Sequence, residues 1–141
     1  MTDLFIANLN KLLVAVAIGQ LLIAMLNMRL DKLLHWDSEL KSVSQLLREV
    51  FYVHKWFITI TLLIFGVITI RFANDIGTGS YEMARWFAAG VGIFWGIRTV
   101  IQWVFYSSSH WKGNPGRTAI HWILTISYGG CAVVYLVAAV H

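Results

Sequence analysis

Four long apolar segments, separated by short polar stretches, dominate this sequence and limit what the chain can fold into. They run approximately over 4–28, 51–73, 83–107 and 117–140. A helix needs about 20 mostly apolar residues to cross the hydrocarbon core of a bilayer, and each segment has that length. Backbone polar groups in lipid must be bonded within the structure, and the alternation typical of a barrel strand is absent, so the segments are predicted to be transmembrane helices.

The composition favours a membrane protein over a soluble one. Of the 141 residues, 58% are hydrophobic and 13% are charged, whereas soluble domains carry roughly 25% charged residues. The chain is too apolar for a disordered protein, and a single cysteine excludes a disulfide-stapled domain. Nucleic-acid binding is not expected, because the basic residues flank the apolar segments and alternate with acidic residues.

We predict an all-α, up-down-up-down four-helix bundle, one domain over 1–141. The first segment is expected to be retained rather than cleaved, because its apolar run is long and Asp3 near its start is acidic. Lys and Arg are distributed unequally between the two sides. One side has Arg29, Lys32, Lys41, Arg48, Lys55, Lys112 and Arg117, and the other has Lys11, Arg71 and Arg85. The positive-inside rule then places both termini in the periplasm.

Between the first two segments, apolar residues recur at spacings of three and four from Leu30 to Val50. This spacing is typical of an amphipathic helix. Its acidic and basic residues nearly cancel, unlike those of a helix that binds anionic lipid through charge. Two interpretations follow: a separate cytoplasmic helix lying against the membrane or a partner, or an extension of the second span.

Polar side chains concentrate in the cytoplasmic halves of the four segments. They are Gln20 and Asn27 in the first segment, His54 in the second, Arg98, Gln102 and Tyr106 in the third, and His121, Thr125 and Tyr128 in the fourth, with Tyr135 further along the same stripe. Spacings of four and seven put those of one segment on one helix face. We therefore predict that they form one polar, ligand-binding pocket near the cytoplasmic end.

Arg98 decides how strongly this pocket is indicated. An arginine at the centre of a span costs about 2.5–3.5 kcal/mol on insertion scales and usually faces a bundle interior or a water-filled cavity. The alternative is that its long side chain reaches the headgroups. Gln102 and Tyr106 on the same face favour the inward arrangement, because three polar residues facing lipid would multiply the cost.

His54 and His121 suggest a metal ion or a haem, since neutral imidazole is a ligand of zinc, copper and iron. Neither histidine belongs to a dense ligand motif, so hydrogen bonding within the bundle or proton transfer is the alternative. Tryptophans gather near the cytoplasmic boundary, as in an interfacial belt, and would also suit stacking on a quinone or porphyrin. The sequence does not distinguish between haem, a metal ion and a quinone as the cofactor.

No catalytic residue is predicted. The serines at 107–109 lack the context of a nucleophile elbow, and Cys131 lies deep in a span, where a thiol is inert. Three hypotheses follow: a ligand-binding membrane protein, a non-catalytic accessory subunit of a larger membrane complex, or a membrane enzyme or proton carrier, for which no acid/base pair is visible. Ala88, Gly92 and Gly96 recur every four residues and would allow close helix packing, within the chain or in a homo-oligomer.

The stretch over 94–106, FWGIRTVIQWVFY, with Val53 and His54 upstream, resembles a family of small bacterial four-span membrane proteins that is uncharacterised. The resemblance covers the second and third segments best. It implies a bacterial inner-membrane protein of this topology, and it brings no activity, substrate or ligand. The residues it highlights are His54, Arg98, Gln102 and Tyr106.

Overall fold

The computed structural model describes residues 2–33, 38, 41–104 and 115–141, and the regular structure within these ranges is helical. The helices are α1 (Thr2–Ala7), α2 (Leu9–Leu33), α3 (Gln45–Arg71), α4 (Ala73–Thr78), α5 (Glu82–Val104) and α6 (Pro115–Val140). The predicted all-α four-helix bundle is confirmed, because the four long helices carry the four apolar segments.

Each long helix is long and apolar enough to cross a bilayer. The spans are Leu9–Arg29, Gln45–Arg71, Glu82–Val104 and Thr118–Val140. Large apolar side chains point outward along them, among them Met25, Phe57, Ile97 and Ile126. So extensive an apolar exterior is unfavourable in water and is compatible with contact to lipid. The protein is therefore an integral membrane protein.

Contacts at the two ends of the bundle show how the spans alternate. At one end Asn10 of α2 donates to Asn74 after α3 (3.0 Å), and Arg85 of α5 donates to the carbonyl of His141 after α6 (3.0 Å). We call this the terminal end. At the other, the loop end, the Asn27 side chain of α2 donates to Lys55 O in the first half of α3.

The first two spans pack closely against each other, the last two do the same, and the two pairs meet largely through the first and fourth spans. Small residues allow this approach: Ala17, Ala24, Ala88 and Ala138 are almost completely buried. Across the remaining side, the Phe65 ring packs edge-on against aromatic rings of α5.

The connection from α3 to α5 folds back onto α2. The short helix α4 buries Ala73 and Ile76 against the bundle, and it ends in a Schellman turn. There the Gly79 N–H donates to Ile76 O and the Ser80 N–H to Asp75 O. Gly79 has a φ of +64°, a left-handed conformation that favours glycine.

The first predicted segment, 4–28, is divided at Asn8 between α1 and α2. The Asn8 N–H lies 3.2 Å from both Leu4 O and Phe5 O, and its side-chain amide also donates to Leu4 O. An asparagine side-chain amide competes with the backbone for helical hydrogen bonds. The Asn8 side chain therefore accounts for the break between α1 and α2 at this residue. The span itself begins at Leu9 and continues past the predicted end.

The predicted amphipathic segment lies partly outside the described residues, at 34–37 and 39–40. Residues 41–43 form a turn or bend, and Ser44 caps α3 by accepting a hydrogen bond from the Leu47 N–H (3.3 Å). Residues 45–50 are the first turns of α3 itself. Of the two interpretations, residues 45–50 therefore agree with an extension of the second span. The Ser44 cap places the start of that helix at Gln45.

Candidate functional site

One polar or amphipathic side chain from each span meets in the bundle interior. They are Gln20 of α2, Thr69 of α3, Trp95 of α5 and Tyr135 of α6, and each is at most 1% exposed. We call these four residues the interspan network. Buried polar groups in a membrane protein must find partners inside the protein, so their hydrogen bonds determine how the spans fit together.

The interspan network has a defined direction. The Trp95 Nε1–H donates to Gln20 Oε1 (3.0 Å), and Gln20 Nε2 donates to the Tyr135 hydroxyl oxygen (2.5 Å). The Tyr135 hydroxyl lies 2.6 Å from Thr69 Oγ1, and the Thr69 hydroxyl itself donates a hydrogen bond to Phe65 O (2.7 Å). Tyr135 must therefore donate to Thr69. The single donors of the indole and the two hydroxyls are each used once.

Gln20 does not lie near the loop end, where it was predicted. Its partners Tyr135 and Thr69 are near the ends of α6 and α3, toward the terminal end rather than the loop end. Helical periodicity indicates which face Gln20 occupies, but the relative shift of the four helices along the membrane normal depends on their packing. The interspan network, which contains no carboxylate or imidazole, holds the bundle together.

A second group of polar side chains bridges α5 and α6 toward the loop end. We call Arg98, Gln102, His121 and Tyr128 the Arg98 cluster. The Arg98 Nη1–H donates to Gln102 Oε1 (3.2 Å), and the guanidinium carbon lies 4.8 Å from the centroid of the Tyr128 ring. Gln102 Nε2 lies 2.9 Å from His121 Nδ1. Gln102 and Tyr128 are buried, whereas Arg98 and His121 are half-buried.

Of the two arrangements considered for Arg98, inward-facing or reaching the headgroups, the structure has the inward one. Its guanidinium contacts the ring of Tyr128 on the neighbouring span and bonds Gln102 one turn along its own helix. A guanidinium over an aromatic face is attracted by the ring quadrupole, and more strongly where water is excluded. The charge is thus held at the seam between α5 and α6.

The amide of Gln102 determines which tautomer the neutral His121 ring adopts. Its Oε1 accepts from Arg98, so the atom that faces His121 is Nε2, which can only donate. His121 Nδ1 therefore accepts, and in the neutral imidazole the proton is on Nε2. His121 is consequently an Nε2–H donor directed away from Gln102.

No protein-family model, curated protein or solved structure matches this chain. The functional conclusion therefore depends on the side chains themselves.

His54 has the opposite tautomer and a different environment. Its side chain is exposed, and its Nδ1 lies 2.9 Å from Val50 O, an oxygen that can only accept. Nδ1 therefore carries the proton, and the lone pair is on Nε2. None of the contacts described for His54 joins it to the Arg98 cluster, so the structure does not bring the two predicted histidines together.

The remaining predicted residues lie in three places. Asn27 Nδ2 donates to Lys55 O (3.2 Å) and to the hydroxyl of the buried Thr59 (3.0 Å), which joins α2 to α3 away from the Arg98 cluster. Thr125 donates to His121 O within α6. Tyr106 lies outside the described residues. Within the described ranges no group of three or more His, Cys, Asp or Glu side chains is suited to hold a metal ion.

Trp95 and Thr69 were not among the candidates from sequence, and Trp95 connects the two groups of polar residues. Its ring stacks on Tyr128 at 5.1 Å between centroids and 23° between planes, while its indole N–H bonds Gln20. Tryptophans of an interfacial belt lie near the membrane surface. The position of Trp95 at mid-depth was therefore the sequence signal that could have identified it as a site residue. No comparable sequence signal distinguishes Thr69, because many helical threonines bond the carbonyl four residues earlier and need no partner on another span.

Gly92, one of the two glycines predicted to serve close packing, lies where α5 and α6 of this chain approach each other. A Cβ at Gly92 would lie 2.8 Å from the Leu136 side chain and 3.1 Å from its backbone nitrogen, so α5 and α6 need glycine there. A Cβ at Gly96 would meet nothing within 4 Å.

Proposed function

We propose that this protein is a small bacterial inner-membrane protein, with both termini in the periplasm, whose Arg98 cluster binds a flat, lipid-soluble molecule bearing carbonyl oxygens. A quinone is the chemical type that fits. The observation that carries this proposal is the hydrogen-bond relay from Arg98 through Gln102 to His121. It brings a guanidinium, an amide and an imidazole together at the seam between α5 and α6. Groups of this kind donate hydrogen bonds, and carbonyl oxygens are their complement.

The relay argues against a haem or metal at His121. A metal-ligating histidine normally binds through one ring nitrogen and donates its other N–H to a carbonyl or carboxylate. His121 instead accepts at Nδ1. Ligation through Nε2 would require Nδ1–H to face the Gln102 NH₂, or Gln102 to turn its NH₂ toward the Arg98 guanidinium. Both arrangements place donor against donor. The tautomer of His54 suits ligation, but a single exposed imidazole makes a poor site.

One aromatic ring beside the Arg98 cluster, that of Trp122, is exposed and offers a flat surface for such a molecule. Trp95 stacks on Tyr128 inside the seam, and the exposed Trp122 ring lies 5.6 Å from the His121 ring. Stacked rings favour planar ligands. Because Trp122 faces outward in a membrane span, a molecule dissolved in the bilayer would reach His121 along this side.

The second candidate is a non-catalytic accessory subunit of a larger membrane complex. The interspan network supports it, because buried hydrogen bonds that join all four spans specify a rigid scaffold without any ligand. On this alternative the Arg98 cluster would serve only to fix α5 against α6.

The test is quinone binding by the full chain in lipid nanodiscs. A short-chain quinone should quench tryptophan fluorescence saturably in the wild type. Arg98→Gln and Gln102→Leu should each raise the Kd about tenfold, equivalent to about 1.4 kcal/mol. Ser127→Ala is the matched control, since this hydroxyl on α6 bonds only its own helix at Ile123 O.

Absence of saturable quenching in the wild type, or equal Kd values in all variants, would refute quinone binding. A Soret band, or a stoichiometric metal in the purified protein, would replace the quinone by a haem or a metal. Co-isolation of a stable partner complex in which the Arg98 and Gln102 variants assemble normally, with no quinone bound, would favour the accessory subunit.

A further inference from the structure

An open recess of about 340 Å³ lies at the terminal end, between α2 and the junction of α3 with α4. Its rim carries Lys11 and Arg71, the first from α2 and the second from the end of α3, together with Asn10 and Asn74. It lies at the opposite end of the bundle from the Arg98 cluster, so it does not depend on the function proposed there.

The rim presents hydrogen-bond donors. Asn10 Oδ1 already accepts from the Lys11 backbone N–H (2.9 Å), and Asn74 Oδ1 accepts from Asn10 Nδ2 (3.0 Å). The hydrogen-bond donors that remain are the Lys11 ammonium, the Arg71 guanidinium and the Asn74 NH₂, all on exposed residues. The Arg71 guanidinium carbon also lies 5.1 Å from the centroid of the Phe72 ring. Among the described residues neither cation has a carboxylate in salt-bridge range. Such a rim is complementary to an anion with several oxygens, above all a phosphate.

The apolar part of the lining, Val14 and Ile70, lies deeper in the membrane, and we call it the floor of the recess. Val14 is nearly one turn further into the span than Lys11, and Ile70 directly precedes Arg71 on the membrane side. Along the membrane normal, the recess thus changes from charged to apolar within a few ångströms. A phospholipid has the same order, with phosphate above and acyl chain below, whereas a free phosphate ion would leave the floor unused.

We propose that this recess is a binding site for one anionic phospholipid. Its phosphate lies between Lys11 and Arg71, and the upper part of an acyl chain packs on Val14 and Ile70. A headgroup with a net negative charge is preferred over a zwitterionic one, because the rim supplies two positive charges and no negative charge to receive a choline.

The experiment is native mass spectrometry of the full chain released from nanodiscs of equimolar phosphatidylglycerol and phosphatidylcholine. One phosphatidylglycerol should stay bound, enriched several-fold over phosphatidylcholine. Lys11→Gln and Arg71→Gln should each bring that ratio close to one, and Lys11→Arg should restore it. Arg85→Gln is the matched control, because it removes one positive charge at the same end of the bundle but outside the recess.

Equal retention of the two lipids by the wild type, or the same loss of preference in Arg85→Gln as in Lys11→Gln, would overturn the proposal. Millimolar inorganic phosphate, compared with chloride at equal ionic strength, should not displace the bound phosphatidylglycerol. Displacement by phosphate alone would show that the site takes a soluble anion instead. Circular dichroism of each variant verifies that the helical fold is retained.

Discussion

The hydroxyl of Tyr135 donates to Thr69 Oγ1 across 2.6 Å, and this direction follows from the bond that Thr69 makes to its own helix. The pair joins the fourth span to the second, and Gln20 and Trp95 extend the same chain of bonds to the first and third. A shift of any one span along the membrane normal would break at least one of these bonds. The interspan network thereby couples the positions of all four helices.

Tyr135→Phe tests the contribution of this network to stability. The substitution removes the acceptor of Gln20 Nε2 and the donor to Thr69, both buried. Hydrogen bonds between membrane helices contribute about 0.6 kcal/mol on average and up to about 1.7, so we expect a loss of about 1 kcal/mol in the free energy of unfolding. Denaturant unfolding in mixed micelles measures it. Tyr81→Phe is the control, because Tyr81 is 64% exposed; equal losses in both variants would contradict the prediction.

The two histidines with opposite tautomers provide a second prediction. In protein labelled with ¹⁵N-histidine under alkaline conditions, in which imidazoles are neutral, His121 should show a protonated Nε2 and His54 a protonated Nδ1. Nitrogen chemical shifts in NMR distinguish the two forms. Gln102→Leu removes the donor to His121 Nδ1 and should abolish the preference there while leaving His54 unchanged. The same tautomer at both residues would show that the proposed relay is wrong.

Gly92→Ala tests the close approach of α5 to α6. The added methyl group would lie 2.8 Å from Leu136, with the Leu136 backbone nitrogen also at 3.1 Å. Overpacking of this kind costs about 1–3 kcal/mol, so thermal stability in detergent should fall. Gly90→Ala adds a methyl group that meets nothing within 4 Å and should have no comparable effect. If the Gly92 variant were as stable as the Gly90 variant, the helices would not be in contact there.

The predicted orientation is testable with cysteine labelling, because Cys131, the one native cysteine, is buried in a span. Ser80→Cys and Ser42→Cys each introduce a thiol at an exposed serine on opposite sides of the bundle. A membrane-impermeant maleimide should label residue 80 in intact spheroplasts and residue 42 only after lysis. The wild type should remain unlabelled. The reverse pattern would place the termini in the cytoplasm.

The four spans and their helical nature could be predicted from the sequence because the requirement for about 20 apolar residues acts on each segment separately. Arg98, Gln102 and His121 were also predictable as candidates, since a charged or polar group within a span is costly wherever the helix lies. Thr69 was not, because a threonine hydroxyl is satisfied by its own helix and its second partner comes from α6.

From the amino-acid sequence alone it follows that this chain is a membrane-spanning helical protein with polar side chains on particular helix faces. Periodicity within one helix is enough for that. Which of those side chains meet is seen in the folded bundle: Gln20 bonds Tyr135 toward the terminal end, and Gln102 bonds His121 toward the loop end, whereas His54 joins neither group. Local sequence patterns do not encode these contacts, because helix offset, tilt and rotation depend on packing between segments that are distant in the chain.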